Sequence, residues 1–163
     1  MFTRTSWLAV VLSVALAGCA DSQFMRPISH RDGMYAAQPK AESKLECKEG
    51  GPACEVTVTV SCSEACATSV NANLVVVYKG TDGRRPVIKW SLEAPAGYDF
   101  AADGIAVYAD DSRPSPDFHC QATQKGHFQC EDAHAAFGVF KYKVTITGAN
   151  PPPPLDPWII NQG

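Results

Sequence analysis

Histidines and cysteines cluster in the last third of the chain at spacings that could hold a metal ion. His127, Cys130 and His134 form an H-x2-C-x3-H pattern, and His119 and Cys120 lie a few residues before it. Imidazole and thiolate are the ligands that zinc and copper prefer in proteins. A cysteine coordinates a metal only as a thiolate, and a disulfide sulfur is a poor ligand. The redox compartment of the chain therefore decides whether this cluster is a metal site or a disulfide with histidines beside it.

The first 18 residues indicate an export leader. Arg4 gives a short polar start one positive charge, and an apolar run of about ten residues, 7–16, follows it. A helix that spans a bilayer needs about 20 apolar residues, so the run is too short for a membrane span. The small residues Ala17 and Gly18 come next, as a signal peptidase requires. The stretch Leu16-Ala17-Gly18-Cys19 resembles the lipobox of bacterial lipoproteins.

The resemblance implies cleavage before Cys19 and lipidation of that cysteine. Several acyl chains on one residue are enough for stable anchoring, whereas a single chain is marginal. In enteric lipoproteins an aspartate directly after the cysteine favours the inner membrane, and here that position is Ala20. We therefore expect a lipid-anchored protein of the outer membrane that faces the periplasm. An ordinary secretory signal remains the alternative.

Six cysteines remain besides Cys19, and an even number in an oxidising compartment predicts three disulfides: Cys47, Cys54, Cys62, Cys66, Cys120 and Cys130. The first-choice pairing is local and joins consecutive cysteines along the chain. The rival pairing joins Cys54 or Cys62 to a distant strand. A redox role for Cys62 and Cys66 is disfavoured, because a thioredoxin-like motif has two intervening residues rather than three.

The pair Cys120–Cys130 has the best local argument. If Thr123 pairs with His127 around a three-residue loop, Cys120 lies opposite Cys130, and Gly126 takes the left-handed position that such a loop needs. Opposed residues of neighbouring strands have their β-carbons close to disulfide range. With those thiols oxidised, the histidines are expected to be solvated. A metal site built from His119, His127 and His134 alone is the weaker alternative.

Strand patterns dominate from residue 45 onward. Residues 55–61 and 140–147 alternate apolar and polar side chains with a period of two, as half-buried strands do. Residues 74–78 are apolar on both faces, and residues 86–92 place Ile88, Trp90 and Leu92 on one face. Cys54 and Cys62 are in phase with the core-facing valines of the first of these strands. Seven to nine short strands, with no helical pattern, predict an all-β, disulfide-stapled antiparallel β-sandwich. The Trp90 position resembles that of immunoglobulin-like domains.

The segments on either side of this body differ in composition. Residues 19–44 begin with the lipidated cysteine and are polar without periodicity, so we expect a flexible tether before a domain that spans 45–163. Residues 150–160 form a proline-rich terminal segment. Four consecutive prolines favour a polyproline II rod. The segment either packs back on the body or forms an exposed docking element, with these candidate contact residues: Pro151, Pro152, Pro153, Pro154, Leu155, Trp158 and Ile159.

The chain contains no nucleophile elbow, zinc-protease pattern or phosphate-binding glycine loop. We therefore expect no enzymatic activity and no cofactor. The net charge is −3, and −4 once Arg4 leaves with the leader. No basic stripe suggests binding to nucleic acid. The scattered aspartates are interpreted as turn formers: Asp99, Asp103, Asp110, Asp111, Asp117 and Asp132.

Three functional hypotheses follow. The first is a binding or structural module of the cell envelope, held to the membrane through Cys19, whose partner is an envelope protein. The second is an inhibitor of an envelope-directed hydrolase, such as an exogenous lysozyme. The third is a metal-binding protein that uses His119, His127 and His134.

Overall fold

The fold is known from a computed structural model, which describes residues 43–48, 54–81, 83–110 and 113–163. Within these ranges the chain forms strands and no helix, so no helix is long and apolar enough to cross a membrane. The predicted leader, Cys19 and the predicted tether up to residue 42 lie outside the described residues. The strands are β1 (Lys44–Cys47), β2 (Glu55–Cys62), β3 (Cys66–Val70), β4 (Leu74–Tyr78), β5 (Val87–Glu93), β6 (Asp99–Asp110), β7 (Arg113–Pro114), β8 (Phe118–Gln124), β9 (His127–Asp132), β10 (Gly138–Thr147) and β11 (Trp158–Gln162).

Two sheets share these strands. Sheet A has the order β1-β4-β11-β10-β6-β7, and sheet B has the order β3-β2-β5-β9-β8. Most neighbours are antiparallel, but β1 and β11 both run parallel to β4, and β2 runs parallel to β5. The predicted all-β sandwich is confirmed. The described part has more strands than the seven to nine predicted and is mixed rather than purely antiparallel.

The core lies between the sheets because the apolar positions of each strand face inward with a period of two. In β2 the valines at 56, 58 and 60 are at most 4% exposed. In β10 the inward residues are Phe140, Tyr142, Val144 and Ile146, which are all buried. The sheets meet through aromatic pairs: the ring of Trp90 on β5 lies 5.5 Å from that of Tyr142 on β10. Trp90 thus occupies the inner face, as its spacing predicts.

The disulfides are Cys47–Cys54, Cys62–Cys66 and Cys120–Cys130, so the predicted local pairing is confirmed. Cys47–Cys54 joins β1 of sheet A to the residue before β2 of sheet B, so it links the two sheets. The placement of Cys62 on the core face was wrong. This residue is exposed, because β2 extends beyond the core at its end and pairs there with the start of β3.

A candidate binding surface at the β8–β9 hairpin

The β8–β9 hairpin carries most of the residues that the sequence marked for chemistry. Cys120 lies opposite Cys130 as predicted, and Gly126 has the left-handed φ of 70°. The predicted closing pair was wrong: Gln124, not Thr123, lies opposite His127. A bulge between Ala122 and Gln124 accommodates Thr123 as an extra residue. Cys120 therefore still lies opposite Cys130, although the pair next to the turn differs from the predicted one. β9 lies inside sheet B, whereas β8 is its edge strand.

A polar groove of about 370 Å³ opens beside this edge. It is lined by Phe118, His119, Cys120, Gln121 and Glu131. His119 and Glu131 lie directly opposite each other on neighbouring strands, so their side chains share the outer face of sheet B. Among the lining residues, the half-buried Cys120 is joined by the disulfide to Cys130, which is fully buried. The groove thus combines a rigid backbone with polar walls.

The histidines of the predicted metal site do not converge. His119 pairs with Glu131 in the hairpin, four residues along β9 from His127, which corresponds to about 13 Å of strand. His134 lies beyond the end of β9 and is 4% exposed, so the expectation that it is solvated was wrong. Within the described ranges, no three His, Cys, Asp or Glu side chains are positioned to share a metal ion.

Sequence reasoning missed the partner of His134. Asp132 is completely buried, and its Oδ1 accepts a hydrogen bond of 2.8 Å from the backbone N–H of His134. An aspartate that accepts from the backbone two residues on forms a turn, so its interpretation as a turn former holds. The turn places His134 at a φ of 51°, a left-handed conformation in which histidine is one of the more tolerant residues. An aspartate at the end of a strand pattern with a histidine two residues later was the sequence pattern from which this pair could have been predicted.

Both ring nitrogens of His134 have partners. Nδ1 lies 3.3 Å from Oδ2 of Asp132, and Nε2 lies 3.0 Å from the backbone carbonyl oxygen of Gln162. A carbonyl oxygen only accepts, so Nε2 carries a proton. Nδ1 faces a carboxylate oxygen, so the two buried side chains contact each other directly through this nitrogen. Burial raises the pKa of Asp132 above its ordinary value, and the hydrogen bonds from His134 oppose that rise.

This buried pair fastens the last strand to the loop between β9 and β10. Because neither ring nitrogen is open to solvent or aimed into the groove, the pair has the geometry of a structural clasp and not of a general base. Asn161 donates a second bond, from Nδ2 to the carbonyl of Ala136 in the same loop. The ring of Phe137, which is 53% exposed, stands edge-on to the ring of His134. Phe137 is the large exposed apolar side chain of the described chain, and it lies above the clasp.

The terminal segment packs on the body. β11 lies between β4 and β10, and Ile159 has no exposed surface. Before it, the backbones of Leu155 and Val144 exchange two hydrogen bonds, and Tyr142 donates to the carbonyl of Pro157. Among the four consecutive prolines, Pro152 is buried, whereas Pro151, Pro153 and Pro154 are exposed. Leu155 and Trp158 are half-buried. A partner-binding role for the exposed prolines stays a prediction.

The chain was also compared with known proteins. No protein-family model matches it, and no curated protein matches it.

Proposed function

We propose that this protein is a non-catalytic binding module of the bacterial envelope, held by a lipid on Cys19 at the periplasmic face of the outer membrane. Its β-sandwich, immunoglobulin-like in architecture, binds an extended segment of an envelope protein at the outer edge of β8. One observation carries the proposal: a seven-residue edge strand, stapled to the core by Cys120–Cys130, ends one side of sheet B beside a preformed groove.

An edge strand presents unpaired backbone N–H and C=O groups to one side, and a partner strand satisfies them. Natural proteins block such edges with lysine, proline or bulges. β8 has no lysine and no proline between Phe118 and Gln124, and its bulge lies only at the far end. Gln121, Ala122, Thr123 and Gln124 are all exposed there. The edge is therefore accessible for about five residues.

The groove favours a partner side chain with hydrogen-bond donors. Glu131 supplies a carboxylate and Gln121 an amide, while no lysine or arginine is among the lining residues. A lysine or arginine of the partner strand would find its complement there. Strand addition supplies affinity through the backbone, and the groove supplies selectivity for the side chain.

Crosslinking capture from native envelopes tests the proposal with matched edge variants. Gln121→Lys combined with Thr123→Lys places two cations along the β8 edge, and Glu131→Gln removes the charge of the groove. Ser69→Lys is the control, since Ser69 is exposed on β3, the other edge of sheet B. We expect the β8 double variant to lose capture of the native partner by at least about tenfold, which corresponds to about 1.4 kcal/mol. Glu131→Gln should weaken capture less, and Ser69→Lys should retain it.

Equal capture by the β8 and β3 variants would place the contact elsewhere and contradict the proposal. If the captured protein is a hydrolase, its activity with and without the domain distinguishes inhibition from simple binding. Palmitate labelling of the full chain tests the anchor separately. We expect Cys19→Ser to abolish labelling and to release the protein from the membrane fraction, whereas a labelled Cys19→Ser variant would overturn the anchor.

A further inference from the structure

The Cys62–Cys66 bond is the accessible disulfide of the described chain. Among the six cysteines that the structure describes, Cys62 is the exposed one. In each of the other two bonds one cysteine is buried, since Cys47 is 6% exposed and Cys130 is fully buried. Residues 63–65, which form the loop that the bond closes, are all exposed. Exposed disulfides are the ones that exchange readily with thiols, whereas buried disulfides are protected.

The two sulfurs of this bond have different surroundings. Cys62 is exposed at the end of β2, whereas Cys66 at the start of β3 is half-buried and packs against the core. The hydroxyl oxygen of Tyr98 lies 3.0 Å from Sγ of Cys66 and 3.6 Å from Sγ of Cys62. A thiol that arrives from solvent therefore meets Cys62 first, and the hydroxyl contacts the sulfur at the other end of the bond.

Tyr98 is positioned by the end of β10 and the residues that follow it. Its ring lies against Gly148, where a Cβ would overlap the ring atoms. Its hydroxyl donates to the backbone carbonyl oxygen of Asn150, which lies 3.3 Å away. A hydroxyl has one proton, and a disulfide sulfur accepts it less well than a carbonyl oxygen does. A thiolate at Cys66 would be a stronger acceptor than either, and it would form within reach of this hydroxyl.

We propose that the Cys62–Cys66 bond is a thiol–disulfide exchange site whose co-substrate is a dithiol protein. A thiolate of the dithiol attacks Sγ of Cys62, the bond to Cys66 breaks, and a mixed disulfide between the dithiol and Cys62 forms. The electron pair of the broken bond stays on Cys66, which leaves as a thiolate, accepts a hydrogen bond from Tyr98 and then takes a proton from water.

The second half of the exchange returns Cys62. The other thiol of the partner, as a thiolate, attacks the partner's own sulfur in the mixed disulfide, and Cys62 leaves as a thiolate that water protonates. The partner is oxidised to a disulfide, and this chain is reduced by two electrons. The bond is thus the substrate of the exchange, which requires none of the thioredoxin-like spacing that the sequence lacks.

The strands around the bond have other contacts that hold them together. β2 and β3 stay paired through the other four positions of their register, from Val58 opposite Val70 to Ser61 opposite Ala67. We therefore expect the sandwich to stay folded when the bond opens. The exchange site is independent of the proposed binding edge, because β3 and β8 are the opposite edges of sheet B.

Exchange with a monothiol tests which sulfur is attacked. The full chain, oxidised and kept in detergent, is mixed with mercaptoethanol, quenched with acid, alkylated and cleaved after Glu64, which separates Cys62 from Cys66. At early times we expect the mixed disulfide on Cys62 and the alkylated thiol on Cys66. A mixed disulfide mainly on Cys66, or equally on both, would overturn the proposal. Opening of Cys120–Cys130 at the same rate would overturn it as well.

Tyr98→Phe tests the hydroxyl, with dithiothreitol as the dithiol. The variant keeps the ring and removes the donor, so we expect the bond to open about tenfold more slowly, as loss of a hydrogen bond to a charged group predicts. Tyr108→Phe, on β6 in sheet A, is the matched control and should open at the native rate. If Tyr98 only braced the hairpin, its loss would expose both sulfurs and raise the rate. An unchanged or raised rate therefore contradicts the proposal.

Acid quenching of intact cells tests for the dithiol partner. We expect a measurable fraction of the chain to have Cys62 and Cys66 reduced while Cys120–Cys130 stays oxidised. Cys66→Ala leaves Cys62 as a free thiol, and it should form a mixed disulfide with a protein that has a second redox-active cysteine. The control Cys62→Ala should form much less of it. A pair that is fully oxidised in cells, or equal capture by the two variants, would contradict the proposal.

Discussion

The hairpins β2–β3 and β8–β9 are built alike and placed differently. Both are antiparallel, and in each a disulfide joins directly opposite residues, Cys62 to Cys66 and Cys120 to Cys130. Cys130 is fully buried in the core, whereas Cys62 is exposed. The sulfur of Cys66 lies 3.0 Å from the hydroxyl of Tyr98 near the hairpin tip. The same covalent closure therefore places a fully buried sulfur in the core in one hairpin, whereas in the other it joins an exposed cysteine to one at the margin of the core.

The polar side chains at the ends of the two hairpins also differ in burial. Beyond β3, Asn71 accepts a hydrogen bond from the backbone of Thr57 at an exposed position, through a neutral side chain. At the end of β9, Asp132 accepts a hydrogen bond from the backbone of His134 at a buried position, through a side chain that can carry charge. The comparison teaches that burial, and not the local motif, decides which hairpin stabilises the domain.

Truncation of a core side chain should give the largest difference in stability between variants of the two hairpins. Phe128 on β9 is 2% exposed, and its ring packs 5.8 Å from that of Phe100 on β6. We expect Phe128→Ala to lower the free energy of unfolding by about 3–5 kcal/mol, because it leaves a large cavity. Val70→Ala on β3, where the side chain is half-buried, should cost about 1 kcal/mol. Urea midpoints measure both, and equal midpoints would contradict the comparison.

Removal of the disulfides should give the next largest difference in stability between the two hairpins. On the chain-entropy model, loss of Cys120–Cys130 costs about 3 kcal/mol and loss of Cys62–Cys66 about 2 kcal/mol, because the second loop is shorter. Replacing the buried Cys130 adds a packing loss that replacing Cys62 does not. Paired alanine substitutions and thermal unfolding measure the difference. A larger loss for Cys62→Ala with Cys66→Ala would reverse the ranking. Mild reductant should also open the exposed bond first, as thiol mapping by mass would show.

The pH dependence of the free energy of unfolding should distinguish Asp132 from Asn71. Burial raises the pKa of Asp132, so the folded state holds its proton to higher pH than the unfolded state does. The free energy of unfolding therefore falls as pH rises from about 3.9, the unfolded value, through the raised folded pKa. One proton limits the slope to about 1.4 kcal/mol per pH unit. Asp132→Asn keeps the turn acceptor without titrating, and it should flatten this slope in urea titrations. Asn71→Ala should leave the slope unchanged.

The smallest effect concerns the turns themselves. Gly126 has a φ of 70°, and a Cβ there would meet only ordinary contacts with Leu92. Gly126→Ala should therefore cost about 1–2 kcal/mol from the backbone alone. Among the described residues, positive φ outside glycine occurs at His134, so the β2–β3 turn has no such requirement. Glu64→Ala should change the free energy of unfolding by less than about 0.5 kcal/mol. A comparable loss of stability in the two variants would contradict a left-handed requirement that is confined to the β8–β9 turn.

The sequence predicted what local spacing determines. Alternation gave β2 and β10, and the opposition of Cys120 and Cys130 followed from counting residues around a glycine turn. Short-range reasoning worked because these features depend on backbone periodicity and on loops of a few residues. The bulge at Thr123 escaped it, since a bulge shifts only the residues nearest the turn and leaves the distant register intact.

Pairings and contacts between residues far apart in the sequence could not be predicted, for a different reason. Nothing local marks the parallel pairing of β1 and β11 with β4, because these strands of sheet A are far apart along the chain. The hydrogen bond of the His134 ring joins it to Gln162, which is 28 residues away along the chain. The three histidines have suggestive spacing along the chain, but a strand extends them away from one another. A pattern of ligand types therefore predicts a metal site only where the backbone turns the side chains toward one point.

The central position of β11 has a consequence for how the chain is made. The last strand to emerge joins β1 and β4 to β10, β6 and β7, so sheet A stays in two parts until residues 158–162 are available. Synthesis proceeds from the other end at a finite rate, and domains generally fold as units. Sheet A is therefore completed only after residues 158–162 have been synthesised, so the order of synthesis delays the closing step of this sheet.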